Sequence, residues 1–163
     1  MKNKIQEGLG AVLIIIVIMF LGFTPPPEKA FAIKWGDLGM KMMEAGVIDE
    51  EKFPNFYNEK NLVIDSENSK VALNTLWAFG LANKNPILEN GPMMDPRYGG
   101  PDKFASTGGW TLAKGLAMDH YSMHSFVILT IEEQTLVERV AKNIYRPCCN
   151  NSTYFPDCNH GMA

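Results

Sequence analysis

The chain has 163 residues and a formal net charge of −3, and 46% of its residues are hydrophobic. This length and apolar content suit a single domain with a real hydrophobic core. The body has no cluster of Lys and Arg, which argues against a nucleic-acid partner.

The N-terminus has the pattern of an export signal. Lys2 and Lys4 precede an apolar run over residues 11–23, and Ala30 and Ala32 are small residues at −3 and −1 of a cleavage point. As a helix the run would span about 20 Å, short of the roughly 30 Å hydrocarbon layer of a bilayer. A cleaved signal is therefore favoured over a retained membrane anchor.

The three consecutive prolines from Pro25 are unusual in a cleavage region, so the anchor stays open as the alternative. Both interpretations give the same organisation. Residues 1–32 are a signal peptide or membrane anchor, and residues 33–163 form a single exported, extracytoplasmic domain, because basic residues favour the cytoplasmic side for the N-terminus. Any membrane contact runs through the N-terminal segment.

The first predicted helix begins near Leu38. Leu38, Met42 and Met43 share one face, and Gly46 is a helix terminator. Asp49 is placed to cap a second turn.

The strongest predicted helix occupies residues 66–83. Asp65 or Ser66 caps it, and Asn83 with Asn85-Pro86 stops it. Its apolar surface is wide, as in a core helix, and comprises Val71, Ala72, Leu73, Leu76, Trp77, Phe79 and Gly80.

Residues 90–110 are rich in glycine and proline and are predicted to form a long loop. A loop of this length is either functional, for example as a lid, or a packed connector. The stretch around Ser106 resembles a phosphate-binding loop only loosely, because the Walker pattern is missing.

Residues Thr111 to Met123 are predicted to be helical. His120 and His124 would then share one face at the spacing of helical metal sites, and the thioethers of Met118 and Met123 would favour copper(I). The alternative is two surface histidines at a helix end, with the methionines filling gaps in the core.

The last long helix is predicted from Ile131 to Tyr145, with Thr130 and Glu133 as a capping box and Pro147 as the stop. Its buried stripe would comprise Ile131, Leu136, Val137, Val140, Ala141 and Ile144. The predicted fold is mainly α: a small helical domain with a long Gly/Pro-rich loop and a Cys-rich C-terminal loop.

All three cysteines lie in the last 16 residues, in the pattern C-C-x8-C-x-H formed by Cys148, Cys149, Cys158 and His160. Thiolates and imidazole bind zinc and copper, and a loop stiffened by prolines can bring the four together. The spacing matches no standard zinc motif. Asp157 could orient His160 or cap the turn after Pro156.

The leading hypothesis is an exported, membrane-associated protein that binds zinc or copper through this cluster, with His120 and His124 as secondary ligands. Two alternatives stay open. One is a thiol-disulfide oxidoreductase that uses the vicinal cysteines, so whether the protein is an enzyme is undecided. The other is a binding or assembly module with a protein partner, stapled by a disulfide that leaves one thiol spare.

Overall fold

The computed structural model describes residues 31–53, 61–108 and 112–163. The apolar run and the basic start of the predicted export signal lie outside these residues, so that prediction stays a prediction. The proposed cleavage point after Ala32 falls within a strand, because Ala32 pairs with Val63 of a second strand.

The prediction of a mainly helical fold is confirmed. Helices α1 (Leu38–Glu44) and α2 (Ser69–Ala82) are followed by the short α3 (Pro86–Asn90) and α4 (Ala105–Gly108), the long α5 (Ile131–Asn143) and the final α6 (Asn159–Met162). Strands β1 (Phe31–Lys34) and β2 (Asn61–Ile64) form a two-stranded antiparallel sheet. Within the described ranges, no helix is both long and apolar enough to cross a membrane.

Helix α1 behaves as the sequence predicts. Met42 and Met43 are buried, and Gly46 ends the helix in the left-handed conformation at φ +75°. The Asp49 carboxylate accepts a hydrogen bond from the Glu51 N–H at 3.1 Å, which caps the next turn.

Helix α2 is the central element of the core. Its buried face is made largely of small side chains, including Ala72, Ala78 and Ala82, so neighbouring elements approach closely. A Cβ added at Gly80 would lie 1.8 Å from the Met162 carbonyl oxygen, which shows that α6 packs directly on the α2 backbone. The buried core cluster is formed by Trp35, Met42, Met43, Val47, Ile48, Ala78, Leu81, Ala82, Leu88, Met93, Leu112, Ala113 and Met162.

The glycine- and proline-rich region is a series of short turns. Single 3-10 turns cover Pro92–Met94, Pro96–Tyr98 and Pro101–Lys103, and α4 follows. Each turn begins at a proline, whose fixed φ suits the first position of a helix and whose missing N–H is not needed there. Residues 90–108 therefore have local helical structure, and the lid and connector interpretations both stay predictions.

The predicted helix from Thr111 to Met123 is wrong. Of the described residues 112–123, only Ala117–His120 forms a helical turn, a single 3-10 turn, and left-handed backbone at Gly115 and Ser122 prevents a longer helix. The segment bonds instead to the end of α2: the Ser122 N–H donates to the Leu81 carbonyl and the His124 N–H to that of Ala82, each at 2.9 Å. These tertiary hydrogen bonds outweigh the local helical pattern.

Helix α5 has the predicted capping box, but the prediction that its apolar stripe is buried is wrong. None of its residues is buried, and Ile131 is 83% exposed. The helix is held near its ends by polar contacts. Gln134 exchanges amide hydrogen bonds with Asn85 at 3.0 and 3.2 Å, and the Thr153 hydroxyl donates to the Ala141 carbonyl.

Between α5 and the body lies an open groove of about 530 Å³. The α5 side of this groove is formed by Leu136, Val137, Val140, Ala141 and Ile144, and the opposite side includes Phe79, Ile87, Leu88 and Met162. Five of the six residues of the predicted stripe therefore face the body across a gap, while Ile131 is not among the groove residues.

Candidate metal centre

A tight reversal after α5 brings the cysteines together. The Asn150 N–H donates to the Arg146 carbonyl, and the Arg146 N–H donates to the Asn151 carbonyl, each at 2.9 Å. Asn150 takes the left-handed conformation at φ 54°, which an asparagine tolerates well. The chain therefore turns back on itself between Cys148 and Cys158.

Three donor residues converge at this reversal. One ligand atom each from Cys148, Cys158 and His160 lies within 4.8 Å of the others, and this is the only such group of three or more His, Cys, Asp or Glu residues among the residues described. The Sγ atoms of Cys148 and Cys158 are 3.6 Å apart. All three cysteines are free thiols. Two thiols and an imidazole are a donor set that suits zinc or copper.

Cys149 lies beside this group without being a member of it. Its Sγ is 3.6 Å from that of Cys148, and its side chain is exposed. Cys149 thus contacts one sulfur of the group from the same turn that contains Cys148.

A buried cation lies beneath the cysteines. Arg146 is only 2% exposed, and its Nη1 contacts both the Asp157 carboxylate and, at 2.9 Å, the Cys158 sulfur. Its Nε donates to the Asn151 carbonyl at 3.3 Å, while Nη2 has no hydrogen-bond partner among the described residues. Asp157, considered above as a partner of His160 or as a turn cap, is the ion-pair partner of Arg146.

Arg146 is not among the site residues predicted from the sequence. A signal was nevertheless present, since Arg146 and Asp157 are the only fully charged side chains after residue 143. A single cation and a single anion in an otherwise neutral segment are natural partners, because an unpaired charge is costly to bury.

The guanidinium shapes the acid–base behaviour of the thiols. Burial works to raise the pKa of Cys158, but the hydrogen bonds from Arg146 and from the Gly161 N–H outweigh it, so this pKa is lowered. The hydrogen bond with Cys158 raises the pKa of Cys148 to about 11. Cys158 is therefore the sulfur that more readily becomes a thiolate, the form that binds metals.

Burial works to lower the pKa of Arg146, because it disfavours the charged form. The hydrogen bonds with Cys158 and Asp157 more than compensate for burial, so the pKa of Arg146 is raised. The cation therefore stays charged beneath the sulfur.

The body of the protein fixes the second half of the loop. The buried Ser106 hydroxyl donates to the Pro156 carbonyl at 2.6 Å, and the Ser106 carbonyl accepts from the Trp77 indole N–H at 2.6 Å. The stretch that loosely resembles a phosphate loop thus connects the segment before Cys158 to helix α2.

His120 and His124 form a separate pair. His120 Nδ1 lies 3.1 Å from His124 Nε2, so the two rings share a hydrogen bond. His120 Nε2 lies 3.4 Å from the Lys114 carbonyl oxygen. The two rings stack, and His124 also stacks on Phe126 with centroids 5.0 Å apart. Burial and the neighbouring His120 lower the pKa of His124.

The two methionines expected to favour copper(I) differ in exposure. Met118 is half-buried in the 3-10 turn Ala117–His120, whereas Met123 is exposed.

Fold and site together define a small, mainly helical protein with a cysteine–histidine group at its C-terminal reversal. Comparisons of the chain with protein-family models, with curated proteins and with solved structures find no match.

Proposed function

We propose that this protein binds a transition-metal ion at Cys148, Cys158 and His160, with Cys149 as the nearest candidate for a fourth ligand. The observation that carries the proposal is the convergence of the three donor atoms within 4.8 Å. Thiolate and imidazole ligands are characteristic of zinc and copper sites.

The spacing of the sulfurs suits a tetrahedral ion. Two thiolates at zinc–sulfur distances of about 2.3 Å are separated by about 3.8 Å across a tetrahedral edge. The Sγ atoms of Cys148 and Cys158 are 3.6 Å apart, so these two ligands need little rearrangement. The imidazole ligand and this geometry favour zinc, with copper(I) as the competing ion.

The surroundings favour an ion that is taken up and released. Cys148, Cys149 and His160 are exposed, so a chelator or a protein partner can reach the ion. The Arg146 guanidinium offsets part of the negative charge of the thiolates, and such outer contacts tune metal affinity. A metal carrier or store accounts for this exposure better than a purely structural zinc site.

The N-terminal sequence supports placing this activity outside the cytoplasm. The basic start, the apolar run and the small residues Ala30 and Ala32 have the pattern of an export signal or a membrane anchor. Intact mass measurement of the protein recovered from cells tests this, since loss of the first 32 residues identifies a cleaved signal.

Metal analysis of the full chain tests the site. The protein is purified under reducing conditions, loaded with zinc and freed of excess ion, and its metal content is measured by mass spectrometry. One zinc per chain is expected, and the double variant Cys148→Ser, Cys158→Ser should lose it, because two of three ligands are removed.

The matched control is the double variant His120→Gln, His124→Gln, which changes two histidines outside the group and should keep its zinc. A wild-type chain without stoichiometric metal would end the proposal. So would a Cys148→Ser, Cys158→Ser variant that binds zinc as tightly as the wild type. Repeating the loading with copper(I) decides between the ions, and Cys149→Ser shows whether Cys149 is a ligand.

A further inference from the structure

We infer that Cys148 and Cys158 are also a dithiol–disulfide couple that exchanges with small disulfides, and that its oxidation ejects the metal ion. The exchange follows from the geometry of the two sulfurs alone. The ejection of the ion rests on the proposed function.

The two sulfurs are already neighbours. Their separation of 3.6 Å must shrink by about 1.6 Å to reach a disulfide bond length. Cys148 is exposed in the turn after Arg146, whereas Cys158 precedes α6, which packs on the α2 backbone at Gly80. Movement of the Cys148 side of the turn therefore closes the bond.

The competing pair, Cys148 and Cys149, has the same Sγ separation but unsuitable backbone geometry. Consecutive Cα atoms are about 3.8 Å apart, while disulfides usually join Cα atoms about 4.4 to 6.8 Å apart. The favoured bond therefore joins residues 148 and 158 and leaves Cys149 as a free thiol.

The exchange has two steps and needs a small disulfide as the oxidant, for example oxidised glutathione. The Cys158 thiolate attacks one sulfur of this oxidant, whose sulfur–sulfur bond breaks, and the first glutathione leaves as a thiolate that takes up a proton. The Cys148 sulfur, after giving up its proton to solvent, then attacks the Cys158 sulfur of this mixed disulfide, and the second glutathione leaves in the same way. Two protein thiols become one disulfide, and one oxidised glutathione becomes two thiols.

Metal binding and disulfide formation use the same atoms. A disulfide between Cys148 and Cys158 consumes two of the three converging donors, and only His160 remains of that group. A bound ion in turn occupies the sulfur lone pairs needed for attack. The redox state of the couple thus decides whether the site can hold metal.

The experiment uses the full reduced chain in metal-free and zinc-loaded forms. Each form is incubated with oxidised glutathione, remaining thiols are alkylated, and intact mass and peptide mapping locate the bond. The metal-free chain should form the 148–158 disulfide, as should Cys149→Ser, which keeps both partners. Cys148→Ser should stop at mixed disulfides with glutathione. The zinc-loaded chain should release one zinc per disulfide formed.

Each failure has a distinct meaning. Bonds found only between Cys148 and Cys149, or only between chains, overturn the couple. A metal-free chain that never closes the bond overturns it as well, even if the reduced chain binds zinc. A chain that closes the bond but never binds zinc in its reduced form supports the exchange and removes the proposed function. An oxidised chain that retains its zinc overturns the ejection.

Discussion

The C-terminal Cys–His group and the His120–His124 pair differ in how many donor residues converge. At the C-terminal reversal, the donor atoms of Cys148, Cys158 and His160 face one another across 4.8 Å or less. In the histidine pair, the two nearest nitrogens bond to each other at 3.1 Å, and the rings stack. The thiols of Cys148 and Cys158 also share a hydrogen bond, so what sets the cysteine group apart is the third donor, His160, which converges on them. Among the described residues, no third Cys, His, Asp or Glu donor joins the histidine pair in this way.

The difference shows that ligand-type residues at suitable spacing are not enough for a metal site. The histidine pair has the spacing of a helical metal site, but its segment is not a helix, and its rings pack as a stacked unit against Phe126. The cysteines have no standard spacing, yet a turn and a buried arginine bring two of them together with His160. Supporting contacts therefore distinguish the two regions better than residue types do.

The largest effect is expected from removing the support of the cysteine group. Arg146→Met leaves Asp157 without its cation. The free energy of unfolding, measured in urea, should fall by about 2 to 3 kcal/mol, which is less than the loss for a fully buried pair. The reason for the smaller value is that the Asp157 side chain is 33% exposed. Zinc affinity should also fall, by roughly tenfold or more, because an outer contact of Cys158 is lost.

Arg139→Met is the matched control, since Arg139 is an exposed arginine on α5. It should change the free energy of unfolding by no more than about 0.5 kcal/mol. Equal stabilities for the two variants would show that Arg146 does not support the site.

An intermediate effect is expected where α6 meets the core. Gly80→Ala places a methyl group on the Met162 carbonyl, and the resulting overpacking should cost about 1 to 3 kcal/mol despite the better helix propensity of alanine. Because α6 includes His160, zinc affinity should fall as well. Lys70→Ala, at an exposed position of the same helix, is the control. A Gly80→Ala chain as stable as this control would contradict the close packing of α6 on α2.

The smallest effect is expected from the histidine pair, and it concerns pH. The pKa of His124 is lowered in the folded protein, first by burial and then by His120. The unfolded chain therefore binds more protons once the pH falls below about 6.5, and stability should decline as the solution becomes more acidic. Urea unfolding of the metal-free protein at about pH 7.5 and about pH 5.5 measures this decline.

His124→Phe preserves a ring that can stack on Phe126 but cannot take up a proton. Its stability should change less between the two pH values than that of the wild type. An unchanged decline would assign the acid sensitivity to other groups. Zinc content at neutral pH should be unaffected by this substitution.

Features decided within a few residues could be predicted from the sequence. The capping box of Thr130 and Glu133 and the end of α1 at Gly46 depend on neighbours in the chain, and both are found. The left-handed turn at Ser122 could not be predicted, because it depends on hydrogen bonds with the end of α2, which is distant in the sequence. The exposure of the α5 stripe was also unpredictable, since periodicity identifies a face without saying what covers it.

The same division holds for the candidate site. The crowding of thiols near the C-terminus indicated metal or thiol chemistry, and the nearby prolines suggested a reversal. Which cysteine faces His160 depends on the turn at Asn150 and on the bond from Arg146 to Cys158, contacts that sequence spacing does not specify.

The unburied helix α5 has a consequence for how the two halves of the site hold together. A helix that buries no side chain can fray or open locally at little free-energy cost, while the core remains folded. Cys148 follows this helix, whereas Cys158 and His160 belong to the segment attached to α2. Buried Arg146 lies between the helix and Cys148 and contacts Asp157 and Cys158. Opening of α5 would therefore release a bound ion only where these contacts of Arg146 also break, and it would do so without global unfolding.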